Sequence, residues 1–324
     1  MKMEESKKLN FNLKGRMRQS RVLGLLFVLV VICIAMGFAT DKFFTVTNVM
    51  NIFKQVTLVS LIATSQTFVI TSGGIDLSVG FMMGLSSIIM CTLIVWGCPL
   101  WLALIACLVC GTLFGALNGV LITRLNLPPF IITLGMQSIC RGLINVITEG
   151  YPIMIDSPFI MSLGQGSWGP LPIMVIFLPI VTIAMHWIYS HTVFGNRVKA
   201  IGGNEVAARL TGINIKRTKV LIYALNGLLC GLVGIIITGR LNAGNPNAGV
   251  NFDMNTIGAV IIGGTAISGG SGTVIGSVLG ALLLGVIRNG LTLLRVNMYW
   301  ETVATGAIII LVCALDSISK KKRR

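Results

Sequence analysis

Apolar residues in this chain come in long, nearly uncharged blocks rather than in the short alternations of a soluble fold. A helix needs about 20 such residues to cross the hydrocarbon core of a bilayer. The blocks fall near residues 22–40, 55–72, 80–97, 100–123, 130–148, 171–189, 220–238, 256–268, 272–294 and 299–315. Turn-forming clusters separate them, among them Gly97-Cys98-Pro99, Pro128-Pro129 and the Gly/Pro-rich stretch 164–172. The pattern predicts an all-α integral membrane protein with about ten transmembrane helices. The block 256–268 is the exception in length, because as a helix it reaches only about 20 Å against a core of about 30 Å. It runs into Ser268-Gly269-Gly270-Ser271-Gly272, so a broken or re-entrant helix is expected there. Such backbone is tolerated at membrane depth only against protein or a water-filled path.

Composition agrees with that class. Of 324 residues, 54% are hydrophobic and only 11% charged, where a soluble domain carries about 25%. The formal net charge of +15 is not spread evenly. Basic residues gather in 1–21, in 190–219 and at the end, in Lys320, Lys321, Lys322, Arg323 and Arg324. These clusters mark cytoplasmic segments by the positive-inside rule, and no nucleic-acid partner is implied. Ten crossings from a cytoplasmic N-terminus return the C-terminus to the cytoplasm and put 149–170 and 239–255 outside. The expected organisation is a basic cytoplasmic tail 1–21, a polytopic domain 22–315 and a second basic cytoplasmic tail 316–324. The uncharged run 22–40 is long for the apolar region of a signal peptide and reads as a retained first span.

Catalytic chemistry is missing from the pattern. There is no GxxxxGK[ST] phosphate cradle, no GxSxG nucleophile turn, and neither His186 nor His191 has a Cys or carboxylate at ligand spacing. Cys107 and Cys110 form a CxxC, but inside an apolar block, where they read as two small packing residues. No metal site and no cofactor are expected on this chain, and it is not an enzyme by these signs.

Few ionisable residues stand near membrane depth: Lys54, Asp76, Arg141, Arg288, Arg295 and Glu301. Such residues are functional candidates by default, with snorkelling to the interface as the plainer reading for Lys54, Arg295 and Glu301. Asp76 lies inside a glycine-flanked break, Gly73-Gly74-Ile75-Asp76-Leu77-Ser78-Val79-Gly80. There it either caps the amides of Val79 or Gly80 or lines a path for a hydroxylated solute. The stretch Gly263-Gly264-Thr265-Ala266-Ile267-Ser268-Gly269-Gly270 shares the pattern GGxxxSxG at an offset of 190. Paired interruptions of this kind suggest duplicated transporter halves. Gly73, Gly74, Asp76, Ser78, Gly80, Gly263, Gly264, Ser268 and Gly269 are therefore the candidate residues of the broken helices or of the translocation path. Glycines four apart (Gly111, Gly115, Gly119 and Gly272, Gly276, Gly280) predict closely packed helices.

The internal basic segment 190–219 contains a small helix with its own punctuation. Asn204 suits an N-cap, Glu205 the positive end, and Gly212 a left-handed C-terminal position. Val206 and Leu210, with Ile213 just beyond, are expected on one face. A two-turn helix between membrane segments has no core of its own, so a partner is expected to hold it.

Four ordered blocks carry a resemblance over roughly residues 45–315: TSGGIDLSVG (71–80), LPPFIITLGMQSICRG (127–142), TVFGNRVKAIGGNEVAARLTGIN (192–214) and IGAVIIGGTAISGGSGTVIGSVLGALLLGVIRNGL (257–291). Together they resemble the membrane permeases of bacterial sugar ABC importers, the ribose, galactose, arabinose and xylose group. The resemblance implies a permease subunit that passes a monosaccharide across the bacterial cytoplasmic (inner) membrane. ATP and Mg would be bound and ATP hydrolysed on a separate ATP-binding subunit. It implies a periplasmic or lipid-anchored sugar-binding protein and a second permease copy as further partners, all within membrane lipid. The helix 203–212 would dock into the ATP-binding subunit, with Gly203, Asn204, Glu205, Ala207, Ala208, Arg209 and Gly212 as coupling residues. Asn255, where an acid is expected, and Phe81, where a small polar residue is common, depart from the family pattern. An ion-coupled secondary transporter and a scaffold without a path are the rival readings, and the first normally needs more intramembrane carboxylates than Asp76 alone.

Overall fold

The computed structural model describes residues 22–321. The basic N-terminal tail 1–21 and Lys322, Arg323 and Arg324 lie outside the described residues. Each of the ten apolar blocks contains a helix: α1 (Val22–Ala39), α2 (Val46–Thr71), α3 (Val79–Val95), α4 (Leu100–Leu125), α5 (Pro129–Thr148), α7 (Ile173–His191), α10 (Ile215–Leu241), α11 (Phe252–Ile262), α12 (Val274–Leu293) and α13 (Met298–Lys321). Three shorter helices lie between them: α6 (Pro158–Gln165), α8 (Val193–Gly203) and α9 (Glu205–Leu210). Seven of the described helices, α1, α2, α4, α5, α7, α10 and α12, are long and apolar enough to cross a membrane, while α3 and α11 are apolar but shorter. The chain is an all-α membrane protein.

Helix ends differ from the expected blocks where polar residues join the helix. α2 starts at Val46 rather than near 55, with the Thr45 hydroxyl accepting from Asn48 N–H. Asn48 is then buried by a reciprocal amide pair with Asn289 of α12, at 3.0 and 2.8 Å. α10 starts at Ile215 and takes in Lys216, Arg217 and Lys219, capped by Asn214 accepting from Arg217 N–H at 3.0 Å. α13 runs on to Lys321, so part of the expected tail 316–324 is helical.

α10 is the central strut, packed against α2, α3, α4 and α6. It crosses α4 along the predicted glycine ladder: a methyl on Gly111 or Gly115 would overlap the carbonyl oxygen of Gly227 or Tyr223. The second ladder brings Gly276 and Gly280 of α12 against the backbone of Gly263 and Ala259 at and beside the end of α11. Backbone-to-backbone approach of this kind is what small residues permit between membrane helices.

The expected outer segments are tied down. Strand β1 (Ile153–Met154) pairs antiparallel with β4 (Ala243–Gly244), and β2 (Ser167–Trp168) with β3 (Leu171–Pro172). The stretch between α10 and α11, expected as an outer loop, is the short strand β4 followed by turns over 246–251, and it runs beside α3. Gly244 rests on the Ile88 and Cys91 side chains, and Gly249 meets the backbone of Gly80 at the opposite end of α3. The short block 256–268 holds the half-length α11, which ends at Ile262, and the non-helical turn 263–273 follows before α12, so the helix is interrupted where the sequence predicted a break.

Candidate functional site

The basic segment folds as two helices rather than one. α8 was hidden in the sequence by Gly195, Gly202 and Gly203, residues that disfavour helix interiors. It is started by the Thr192 hydroxyl, which accepts from Gly195 N–H at 3.2 Å. Asn204 ends α8 and caps α9, its Oδ1 accepting from Ala207 N–H at 3.0 Å. Gly212 has φ +83° just past α9, the left-handed value the sequence asked for. Ala208 packs inward with Ile201, Ile215 and Ile213, so Ile213 belongs to the inner side and not to the Val206–Leu210 face. Val206 and Leu210 remain 70% and 84% exposed, and Ala207 and Arg209 are exposed beside them. Glu205 ties α9 to α10, with Lys219 Nζ at 2.7 Å and Arg209 at 3.6 Å from its carboxylate.

α8 is clamped to the membrane helices from two sides. Lys199 Nζ sits 4.6 Å from the ring centroid of Tyr189 in α7, and Phe194 stacks on Phe68 of α2 at 6.0 Å. Tyr189 meets Phe68 edge-on and its hydroxyl lies 3.2 Å from Thr71 Oγ1. At its C-terminal end α8 enters a junction made of backbone alone. Gly270 N–H donates to the Thr71 carbonyl at 2.8 Å. A methyl on Gly202 would overlap that same carbonyl, and one on Gly269 would press on Gly202 and on Gly73 N. A methyl on Gly270 would meet Gly203 Cα at 3.0 Å. The candidate residues Gly73, Gly269 and Gly203 thus meet at one point, where the end of α2, the 263–272 turn and the coupling segment touch. Gly203 itself has open space where a side chain would stand.

Asp76 lies fully buried in a polar cluster. Its Oδ1 accepts from Ser78 N–H at 2.9 Å and the Ser78 hydroxyl at 2.6 Å, and its Oδ2 accepts from Asn226 Nδ2 at 2.9 Å. Asn226 also donates to Gln66 Oε1 at 2.9 Å and accepts from Ser65 at 2.7 Å, while Gln66 returns a bond to the Asp76 carbonyl at 3.0 Å. Asn118 of α4 donates to Ser78 Oγ at 2.9 Å. All six residues are buried. The amide capped is that of Ser78, one residue before the positions the sequence suggested. This network joins α2, α3, α4 and α10 across the first break, and each polar group satisfied inside it avoids the cost of a bare one.

Sequence reasoning missed Gln66, Asn118 and Asn226, because partners 10 to 161 positions away leave no local signature. Gly80, in contrast, lies where the segment between α10 and α11 crosses α3, and Gly263 and Gly264 end α11. Ser268 stands exposed in the turn that follows. Among the described residues no group of three or more His, Cys, Asp or Glu is placed to hold a metal ion.

Comparison with known proteins agrees with this architecture. The family described as branched-chain amino acid transport system / permease component matches residues 48–313. The ribose import permease protein of Bacillus subtilis is 39% identical over 90% of this chain and 90% of its own length. The D-allose transport system permease protein of Escherichia coli is 35% identical over 92% of both chains, and the xylose transport system permease protein of the same species 31% over 93% of both. A family match over most of the chain and relatives matched nearly end to end lead to one conclusion: the chain belongs to this permease family, as a membrane permease of the bacterial sugar ABC importer type.

Proposed function

We propose that this chain is the membrane-spanning subunit of an ATP-driven importer that passes a monosaccharide, a pentose, hexose or related small sugar, across the bacterial cytoplasmic membrane. It crosses the membrane ten times with both termini in the cytoplasm. ATP and Mg are bound by a separate subunit, a sugar-binding protein delivers solute on the outer side, and a second permease copy completes the pair.

One observation carries the reading: the exposed Val206–Leu210 face of α9 belongs to a segment whose other end is locked by backbone contact to both interrupted helices. Apolar residues this exposed on a short basic helix suit a cleft in a partner, and a push on α9 reaches Thr71 and Gly270 through α8 without a flexible link. ATP binding to the partner pair then moves the coupling segments and rocks the bundle between outward- and inward-open forms. The names of the relatives, importers of ribose, allose and xylose, support a sugar as solute.

The test is a mild-detergent pull-down of the tagged chain from its own membranes, followed by an ATPase assay of the eluate. Leu210→Asp and Ala207→Glu, both at exposed positions, are run beside the parent. An ATPase is expected with the parent and not with the variants, which stay folded. Recovery of the chain alone from transport-competent membranes would sink the proposal, and sensitivity of uptake to a protonophore would then favour ion coupling.

A further inference from the structure

α5 has three faces. Thr133, Met136, Cys140, Ile144 and Thr148 form a buried stripe at helical spacing. Ile139, Leu143 and Val146 stand exposed on the far side, as a helix facing lipid requires, while Ile131 and Leu134 are exposed on the remaining face, near the helix start. The third face carries Gln137, Arg141 and Asn145 at i, i+4 and i+8, with Ser138 beside them. Arg141, Ser138 and Asn145 are exposed and Gln137 half-buried. Arg141 lies seven residues before the helix end, about 10 Å along its axis, and so within the hydrocarbon level. Polar and charged groups there turn toward protein or water, not toward lipid.

The segment between α10 and α11 adds to this face. Gln137 Nε2 is 3.4 Å from Asp253 Oδ2 in the first turn of α11, and Asn247 and Asn251 are exposed just before it. The Arg141 guanidinium is held 5.5 Å over the ring of Phe81, the residue that departs from the family pattern. Asn145 donates one amide N–H to the Arg141 carbonyl at 2.9 Å, which leaves its second N–H and its oxygen to offer.

We propose that this polar face of α5, completed by Asn247 and Asn251 and with the buried Asp253 holding Gln137 in place, lines the solute route and hydrogen-bonds the hydroxyl groups of a neutral sugar. A second copy of the chain closes the route from the opposite side. Amides dominate the lining and the two charges, Arg141 and Asp253, are of opposite sign. That mixture offers donors and acceptors together, as a polyhydroxylated solute needs, with no excess charge to hold an ion. The inference rests on the permease reading and adds the residues that meet the solute.

The experiment has two arms on the assembled, reconstituted transporter. In the first, Ser138→Cys and Asn145→Cys are exposed to a small charged thiol reagent beside Ile139→Cys and Val146→Cys, with labelling read peptide by peptide. The polar-face positions are expected to label at least about tenfold faster, since charged groups are excluded from hydrocarbon. Equal rates on both faces overturn the assignment. In the second arm, Gln137→Ala, Arg141→Gln and Asp253→Asn are expected to lower sugar uptake by about tenfold each, the size of one lost hydrogen bond, with ATPase activity kept. Parental uptake by all three overturns the lining while leaving the permease reading intact. Absence of any co-assembled ATPase instead removes the reading on which it stands.

Discussion

The two glycine-flanked breaks look alike on paper and end their helices alike, yet they are built for different ends. Gly74 N–H bonds to the Val69 carbonyl at 3.0 Å, and Thr265 N–H to the Val260 carbonyl at 3.2 Å. Gly73 and Gly264 occupy the left-handed position between, with φ +84° and +89°. The same C-terminal cap therefore closes α2 and α11. The structural correspondence is Gly73 with Gly264, an offset of 191, and not the 190 of the shared GGxxxSxG pattern. Past the cap the two diverge. The first break closes around a buried carboxylate with five polar partners, directly or at one remove. The second has no acid, leaves Ser268 at the surface and meets the coupling segment through glycine backbones. The first break joins four helices through buried side chains, and the second meets its neighbours through backbone.

The largest effect expected from breaking this contrast is at Gly202. Gly202→Val forces side-chain atoms into the Thr71 carbonyl and the Gly270 amide, and should cost at least the 3 kcal/mol or so at the top of ordinary overpacking. Thermal unfolding in detergent should fall sharply and uptake with it, while Gly203→Ala, with open space at its Cβ, leaves unfolding unchanged. Equal stability of the two variants would dissolve the junction. Next comes Asp76→Leu, which strands the Ser78 and Asn226 donors at about 1–3 kcal/mol each. Asp76→Asn should lie between Leu and parent, because it turns an amide donor toward that of Asn226. Unchanged stability with an altered choice of sugar would show instead that Asp76 meets solute. The smallest effect sharpens the likeness: Gly73→Ala and Gly264→Ala each place a side chain in the left-handed region, at about 1–2 kcal/mol. Their costs should match if the two caps are equivalent.

Much of the frame was legible in the sequence for physical reasons. Span positions follow from the length of apolar runs, and the limits of α9 follow from Asn204 and Gly212, whose roles need no distant partner. The glycine ladders pointed correctly to close crossings, though not to which helix would be crossed. What stayed hidden is tertiary. Nothing near Gly202 announces Thr71 and Gly270 as neighbours, and nothing near Asp76 announces Asn226. The start of α2 was misplaced because Asn48 and Lys54 look like the end of a polar loop until Asn289 supplies a buried partner for the first. The polar face of α5 went unread beyond Arg141, although Gln137, Arg141 and Asn145 recur every fourth residue inside an apolar run, a period that a helix turns into a stripe.

The half-length α11 has a consequence for how the protein is made. At 11 residues it reaches about 16 Å, too short to be released into a bilayer as a span of its own. The non-helical stretch before it has backbone groups that lipid cannot satisfy. The chain from 242 to 273 is therefore expected to enter the membrane level only after α2, α3 and α12 are in place to receive it. Insertion of the long helices and completion of the fold are then separate events in biogenesis, and the stretch around α11 is the last to arrive.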